Sequence, residues 1–184
     1  MLPTSCQTEG IFRVPANGTR LNEAKACIDN GKLPDFLRGM LRGASLDLRI
    51  MKQHVHVAAG LFKLFYRMMP EPVIPFDAYE LLMNAKNHDA LDKVVREQLP
   101  KWPPENQLLL HHLLDFLSHV AESSEKNLMG KDNLAMVFAP SILRQRDATP
   151  MDELTTIKDR VDRVTGLSFH DMKSVCTYGL RYTT

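Results

Sequence analysis

The sequence predicts an all-α fold, a single-domain bundle of about six to eight helices joined by short loops. Three observations carry that prediction. The stretch 51–69, MKQHVHVAAGLFKLFYRMM, repeats apolar residues at helical spacing until Pro70-Glu71-Pro72 stops it. The stretch 104–123 sets Leu110, Leu113, Leu114, Leu117, Val120 and Ala121 along one stripe. No segment alternates apolar and polar residues in a way that assigns a strand. The 184 residues suit one domain, 1–184, and a 44% hydrophobic content is enough for a sizeable core.

Taken in order, residues 7–18 read as a loop because Gly10, Pro15 and Asn17-Gly18 are turn signals. Ile11 and Phe12 are its expected anchors, and Arg13 follows them directly. A helix over about 19–30 puts Leu21, Ala24 and Ile28 on one face, with Gly31 as its stop. Residues 32–50, interrupted by Pro34, Gly39 and Gly43, predict a loop with at most a short turn.

The central helix over 51–69 carries Val55, Ala58, Ala59, Phe62, Phe65, Tyr66 and Met69 on one broad side. Leu61, Leu64 and Met68 cover most of the other, which predicts burial around nearly the whole circumference. One seam escapes: Gln53, His56, Gly60, Lys63 and Arg67 fall within about a quarter-turn of one another. An unpaired buried charge is costly, so this basic seam must face water or an anionic partner.

Beyond Pro75, Asp77 predicts an N-cap for a short helix, with Glu80 completing a capping box, and Asp89 predicts the cap of the next. The latter helix buries Leu91, Val94, Val95 and Leu99. Pro103-Pro104 opens the long leucine-striped helix, as proline is tolerated in a first turn. Residues 127–143 hold a short apolar helix that Pro140 ends or bends. A polar connector over 144–150 leads to a last helix buried through Leu154, Ile157, Val161 and Val164 and stopped by Gly166. The tail over 167–184 shows no clear period.

Composition excludes several classes of function. A formal net charge of +1 gives no global attraction to nucleic acid or to an anionic membrane, though a local basic patch stays open. Cys6, Cys27 and Cys176 are odd in number and lack metal-ligand spacing, so free thiols in a reducing compartment are expected. There is neither a long apolar run nor a secretory leader pattern, which predicts a soluble, cytoplasmic protein. His112, Asp115 and His119 could share one helix face as metal ligands, but a solvated polar face opposite the leucine stripe is the stronger reading. G-x-S-x-G and G-x-x-x-x-G-K-[ST] are both absent, so neither serine hydrolase chemistry nor an intrinsic nucleotide site is expected.

Three blocks, in order, carry a resemblance to a known family. They are Thr8-Glu9-Gly10-Ile11-Phe12-Arg13; Val57 to Pro75, VAAGLFKLFYRMMPEPVIP; and Asn127 to Leu143, with Asn133-Leu134-Ala135 and Val137-Phe138-Ala139-Pro140. Together, over 8–143, they resemble the GTPase-activating domain for Rho-type small GTPases, the RhoGAP domain. The resemblance implies that Arg13 is an arginine finger entering the partner's nucleotide site. Such a finger supplied in trans is worth roughly 10³–10⁵ in turnover. It further implies that Lys63 and Arg67 line the docking groove, where they contact the GTPase and the finger loop, and that Asn133 bonds to the partner's switch region.

The implied partner is a Rho-family GTPase in its GTP-bound state, whose own site holds GTP and magnesium. This chain would thus be an activator of an enzyme, with no cofactor of its own and at most indirect membrane contact. The sequence departs from the family pattern in places: Met68 stands where an acidic residue is common, Ala139 for a glycine and Ser141 for an asparagine. The customary Asn-Pro after Arg144 is missing, and the seven residues before Thr8 are short for the usual first helix, which predicts a missing or truncated one.

Two other functions fit the same residues. A non-catalytic GTPase- or protein-binding module would need the basic seam but not Arg13. A helical scaffold binding phosphoinositide head groups would need Lys63.

Overall fold

The fold is built around the helix that ends at the Pro70-Glu71-Pro72 turn. In the computed structural model, which describes residues 3–41 and 48–167, the helices in chain order are α1 (Pro3–Cys6), α2 (Gly18–Asp29), α3 (Asp35–Leu41) and α4 (Leu48–Met68). After these come α5 (Phe76–Met83), α6 (His88–Gln98) with a 3-10 turn (Leu99–Lys101), α7 (Pro104–Glu122), α8 (Ser124–Asn127), α9 (Lys131–Ile142) and α10 (Pro150–Gly166). Eight of the described α-helices exceed a single turn and no strand occurs among the described residues, as the all-α reading expects. Cys176, the tail beyond residue 167 and part of the predicted 32–50 loop lie outside the described residues.

Helices α4, α7 and α9 meet in the core. α7 buries Leu110, Leu113, Leu114, Leu117 and Val120 completely or nearly so, and α9 buries Leu134, Ala135, Phe138 and Ile142. Phe12 comes down from the first loop into an aromatic cluster. Its ring lies 5.1 Å from Phe138, 5.9 Å from Phe116 and 6.0 Å from Phe62, centroid to centroid. The Phe116 and Phe138 contacts are edge-on, a geometry aromatic quadrupoles favour beyond their buried area. Ile11 beside it is fully buried, so both expected anchors are anchors.

Several local expectations are corrected. Residues 35–41 form α3, held to α4 by the Phe36 ring stacked 4.9 Å from His54; tertiary contact overrides the glycine and proline signals there. α5 is capped by Pro75 without a side-chain bond, and Asp77 lies one residue inside it, its carboxylate 3.4 Å from Arg146. Asn87 rather than Asp89 caps α6, its Oδ1 accepting from the Ala90 N–H at 2.8 Å. α9 continues two residues past Pro140. In α10 Leu154 is exposed and Arg160 is buried, reversing an apolar and a charged position.

The largest correction concerns α4. Phe65 and Met68 are more than half exposed, and with Ile28, Leu61 and Leu64 they line an open apolar trough between α2 and α4. The helix is therefore less completely buried than predicted: Phe65 of the first side and Met68 of the second are exposed, while Leu61 and Leu64 are half-buried beside α2.

His54 and His56 on α4 each have a buried Nδ1 without a hydrogen-bond partner. Burial lowers both imidazole pKa values from 6.5, helped by Arg20 near His54 and Lys52 near His56. A base whose folded pKa is lowered stabilises the fold above its unfolded pKa and loses that contribution as pH falls through the folded value. Thermal melting at about pH 7.5 and pH 5 is expected to show this loss, and a His54→Gln/His56→Gln variant to show a smaller one. Phe12→Ala is expected to cost about 3–5 kcal/mol in denaturant unfolding, the range for emptying a packed aromatic site.

Candidate functional site

Gly10 and Phe12 shape the loop that presents Arg13. Both have left-handed backbone, with φ of 65° and 67°. At Gly10 a Cβ would stand 2.5 Å from Cγ2 of Val14 on a left-handed backbone, which favours glycine in the turn. At Phe12 the same conformation is strained for an aromatic residue, and the surroundings over-determine it. Its ring is locked in the cluster below, while its carbonyl accepts a 2.7 Å hydrogen bond from Nζ of Lys63 on α4. The chain thereby reverses between a buried residue and an exposed one: Phe12 points in and Arg13 points out.

The start of the loop is held from another side. The buried Asn127 donates through Nδ2 to the carbonyls of Cys6 and Val120, both at 2.7 Å, and its Oδ1 accepts from the Met129 N–H. Its own carbonyl accepts from the Gly10 N–H at 2.7 Å. Within the loop the Arg13 and Val14 N–H groups both donate to the Gly10 carbonyl. Asn127 thus ties the loop to the end of α7, a role that its position in the sequence does not disclose.

The predicted seam on α4 has two fates. At its amino-terminal end Gln53 accepts from Nη1 of Arg20 at 2.9 Å, and Gly60 lets Ala16 and Leu21 close on the helix. At its carboxyl-terminal end Lys63 and Arg67 line a surface groove of about 530 Å³. Pro15, directly after the Arg13 loop turn, lies on its rim with Val137 and Pro140 of α9 opposite. Burial lowers the Lys63 pKa from 10.5, a cost that its bond to the Phe12 carbonyl offsets.

Asn133 lies exposed on the first turn of α9, its Nδ2 3.4 Å from the Leu128 carbonyl. It does not line the groove, but Val137 and Pro140 follow it at i+4 and i+7 on the same helix. The structure therefore brings Lys63 and Arg67 into one groove, attaches the Arg13 loop to Lys63, and sets Asn133 along the helix that forms the far wall. Two groove residues escaped the sequence reading, Arg144 and Glu153. They come from the connector and the first turn of α10, where no periodic signal marks them.

Among the described residues no group of three or more His, Cys, Asp or Glu side chains is arranged to hold a metal ion. His119 Nδ1 instead lies 2.7 Å from the Asp115 carbonyl. Cys6 and Cys27 are free thiols. No helix among the described residues is long and apolar enough to cross a membrane.

The chain resembles known proteins in both sequence and fold. A family model described as "RhoGAP domain" matches residues 2–147. Rho GTPase-activating protein gacY of Dictyostelium discoideum is 32% identical over 150 residues, covering 79% of this chain and 19% of that protein. Human Rho GTPase-activating protein 24 is 34% identical over 148 residues, covering 78% and 18%. Rho-GTPase-activating protein 5 of Schizosaccharomyces pombe is 36% identical over 147 residues, covering 77% and 38%. The chain thus spans well under half the length of these relatives.

Among solved structures, human Rho GTPase activating protein 15 superposes with a TM-score of 0.72 at 22% identity, covering 92% of this chain and 76% of that one. The BH domain from GRAF, the GTPase regulator associated with focal adhesion kinase, gives 0.69 at 18% identity, covering 95% and 92%. These two likenesses establish the fold. With a family model matched across most of the chain, and the three blocks 8–13, 57–75 and 127–143 meeting around one loop and one groove, the chain belongs to the RhoGAP domain family.

Proposed function

We propose that this chain accelerates GTP hydrolysis by a Rho-family GTPase in its GTP-bound state, with Arg13 supplied in trans as the arginine finger. The observation that carries the reading is the Lys63–Phe12 bond, which fixes the backbone one residue before an exposed arginine, in a loop whose Pro15 lines the cationic groove although Arg13 itself does not. A guanidinium delivered from such a loop neutralises charge developing on the transferring phosphoryl group and forms no covalent bond. GTP, magnesium and the attacking water belong to the partner.

Lys63 and Arg67 dock the acidic and carbonyl-rich surface around the partner's nucleotide site. Asn133 hydrogen-bonds to the switch region, flanked by exposed apolar side chains of Leu128 and Met136 that widen the contact. A non-catalytic binding module would use the same groove. The doubly braced left-handed turn at Phe12 favours the catalytic reading, because docking alone has no need of a fixed Arg13.

Single-turnover hydrolysis by a panel of GTP-loaded Rho-type GTPases tests this. Arg13→Ala is expected to lower the accelerated rate by roughly 10³ or more while complex formation persists. Equal acceleration by the variant and the wild type removes Arg13 from the mechanism, and binding without acceleration by either supports the non-catalytic module. Lys63→Met is expected to reduce acceleration about 10- to 100-fold, the value of one charge-assisted hydrogen bond. Circular dichroism of that variant should remain that of the folded helical domain.

A further inference from the structure

Arg144 lies in the connector between α9 and α10, outside every motif discussed above except the shared groove. Its Nη1 donates to the Arg67 carbonyl at 3.2 Å and its Nη2 to the Met69 carbonyl. The last carbonyls of a helix have no partner inside it and take donors from the chain that follows. After α4 that chain is Met69-Pro70-Glu71-Pro72, in which Pro70 and Pro72 have no N–H to give. The Pro-Glu-Pro turn therefore leaves the end of α4 short of donors, and a guanidinium from another element supplies two. A cation there also complements the negative end of the helix dipole.

The connector that carries Arg144 is itself fastened. Arg160 of α10, 1% exposed, donates to the Glu153 carbonyl at 2.8 Å and lies 3.4 Å from the Leu143 carbonyl, so one buried side chain joins the first turn of α10 to the start of the connector. The Ile74 N–H donates to the Ile142 carbonyl, joining the segment after the prolines to the end of α9. Arg144 rests near the Phe76 ring, 5.9 Å from its centroid; burial lowers its pKa, and the Glu153 carboxylate opposes that shift in part. These contacts form a continuous path from α10 through the connector to the backbone of Arg67.

We infer that Arg144 is a positioning residue for GTPase docking: it caps the carboxyl end of α4 and thereby fixes Arg67 in the groove. The inference rests on the docking role proposed for Arg67. It predicts a division of labour, because the backbone of the Arg13 loop is held separately, through Phe12, Lys63 and Asn127. Loss of Arg144 should weaken docking and leave the rate at saturation intact.

The test is a double-mutant cycle on the whole chain, with a GTP-loaded Rho-type GTPase chosen by its response to the wild type. Arg144→Met is expected to raise KM about tenfold with kcat held within about twofold. Arg67→Ala with Arg144→Met should raise KM no further than Arg67→Ala alone, since one residue acts through the other. Arg144→Lys, which keeps the charge but not the fork, should give an intermediate KM. Hydrogen exchange of the free chain should show faster exchange in the last turn of α4 for Arg144→Met.

Additive effects on KM, a fall in kcat at unchanged KM, or unaltered exchange in α4 would each overturn the assignment. If the wild type accelerates no GTPase, the functional reading itself fails and the docking role of Arg144 falls with it. If the wild type is active and only the cycle is additive, the assignment to Arg144 alone is lost.

Discussion

One hydrogen bond, from the Lys63 ammonium to the Phe12 carbonyl, is the constraint on which the site depends. It joins the first loop to α4 across fifty-one positions of sequence, and it does so at a residue whose backbone is left-handed. A bulky residue adopts that conformation only when neighbouring contacts leave it no alternative. Here the ring is gripped by Phe62, Phe116 and Phe138, and the carbonyl is gripped by the lysine. The strain sits one residue before Arg13, where a relaxed backbone would let the guanidinium wander.

The same economy explains why a half-buried lysine is tolerated. Partial desolvation disfavours the ammonium, and a neutral side chain of similar length would pack there at lower cost. Its retention makes sense as the strut for the loop and as a cation on the groove wall. The groove holds Lys63, Arg67 and Arg144 against a single lining carboxylate, Glu153. Three cations near one another repel, and two of them have an anchorage of their own: Lys63 on Phe12, and Arg144 on the end of α4. With Arg144 engaged by the end of α4, Arg67 is the cation left to meet an anionic partner surface.

The carboxyl end of α4 shows how a sequence element can demand a partner it does not name. Two prolines terminate the helix cleanly and in doing so withhold the donors its last carbonyls require. The deficit is met by a side chain seventy-seven positions away from Arg67. Termination of α4, placement of Arg67 and packing of the α9–α10 connector are thus parts of a single arrangement.

Periodicity and turn chemistry alone determined the helical class, the leucine stripe of α7, the anchoring of Ile11 and Phe12, and the basic seam on α4. Those features are local: apolar spacing, proline stops and glycine turns act within a few residues. Local signals also misplaced some details, as when Asp77 and Asp89 competed with Pro75 and Asn87 for the caps of α5 and α6. What only the tertiary structure decided is how far α4 is covered, that Asn127 braces the loop, that the Phe12 carbonyl is the atom Lys63 holds, and that Arg144, Glu153 and Arg160 serve the groove. Each of those depends on which helices pack against one another, and a buried polar side chain is informative only once its partner is known.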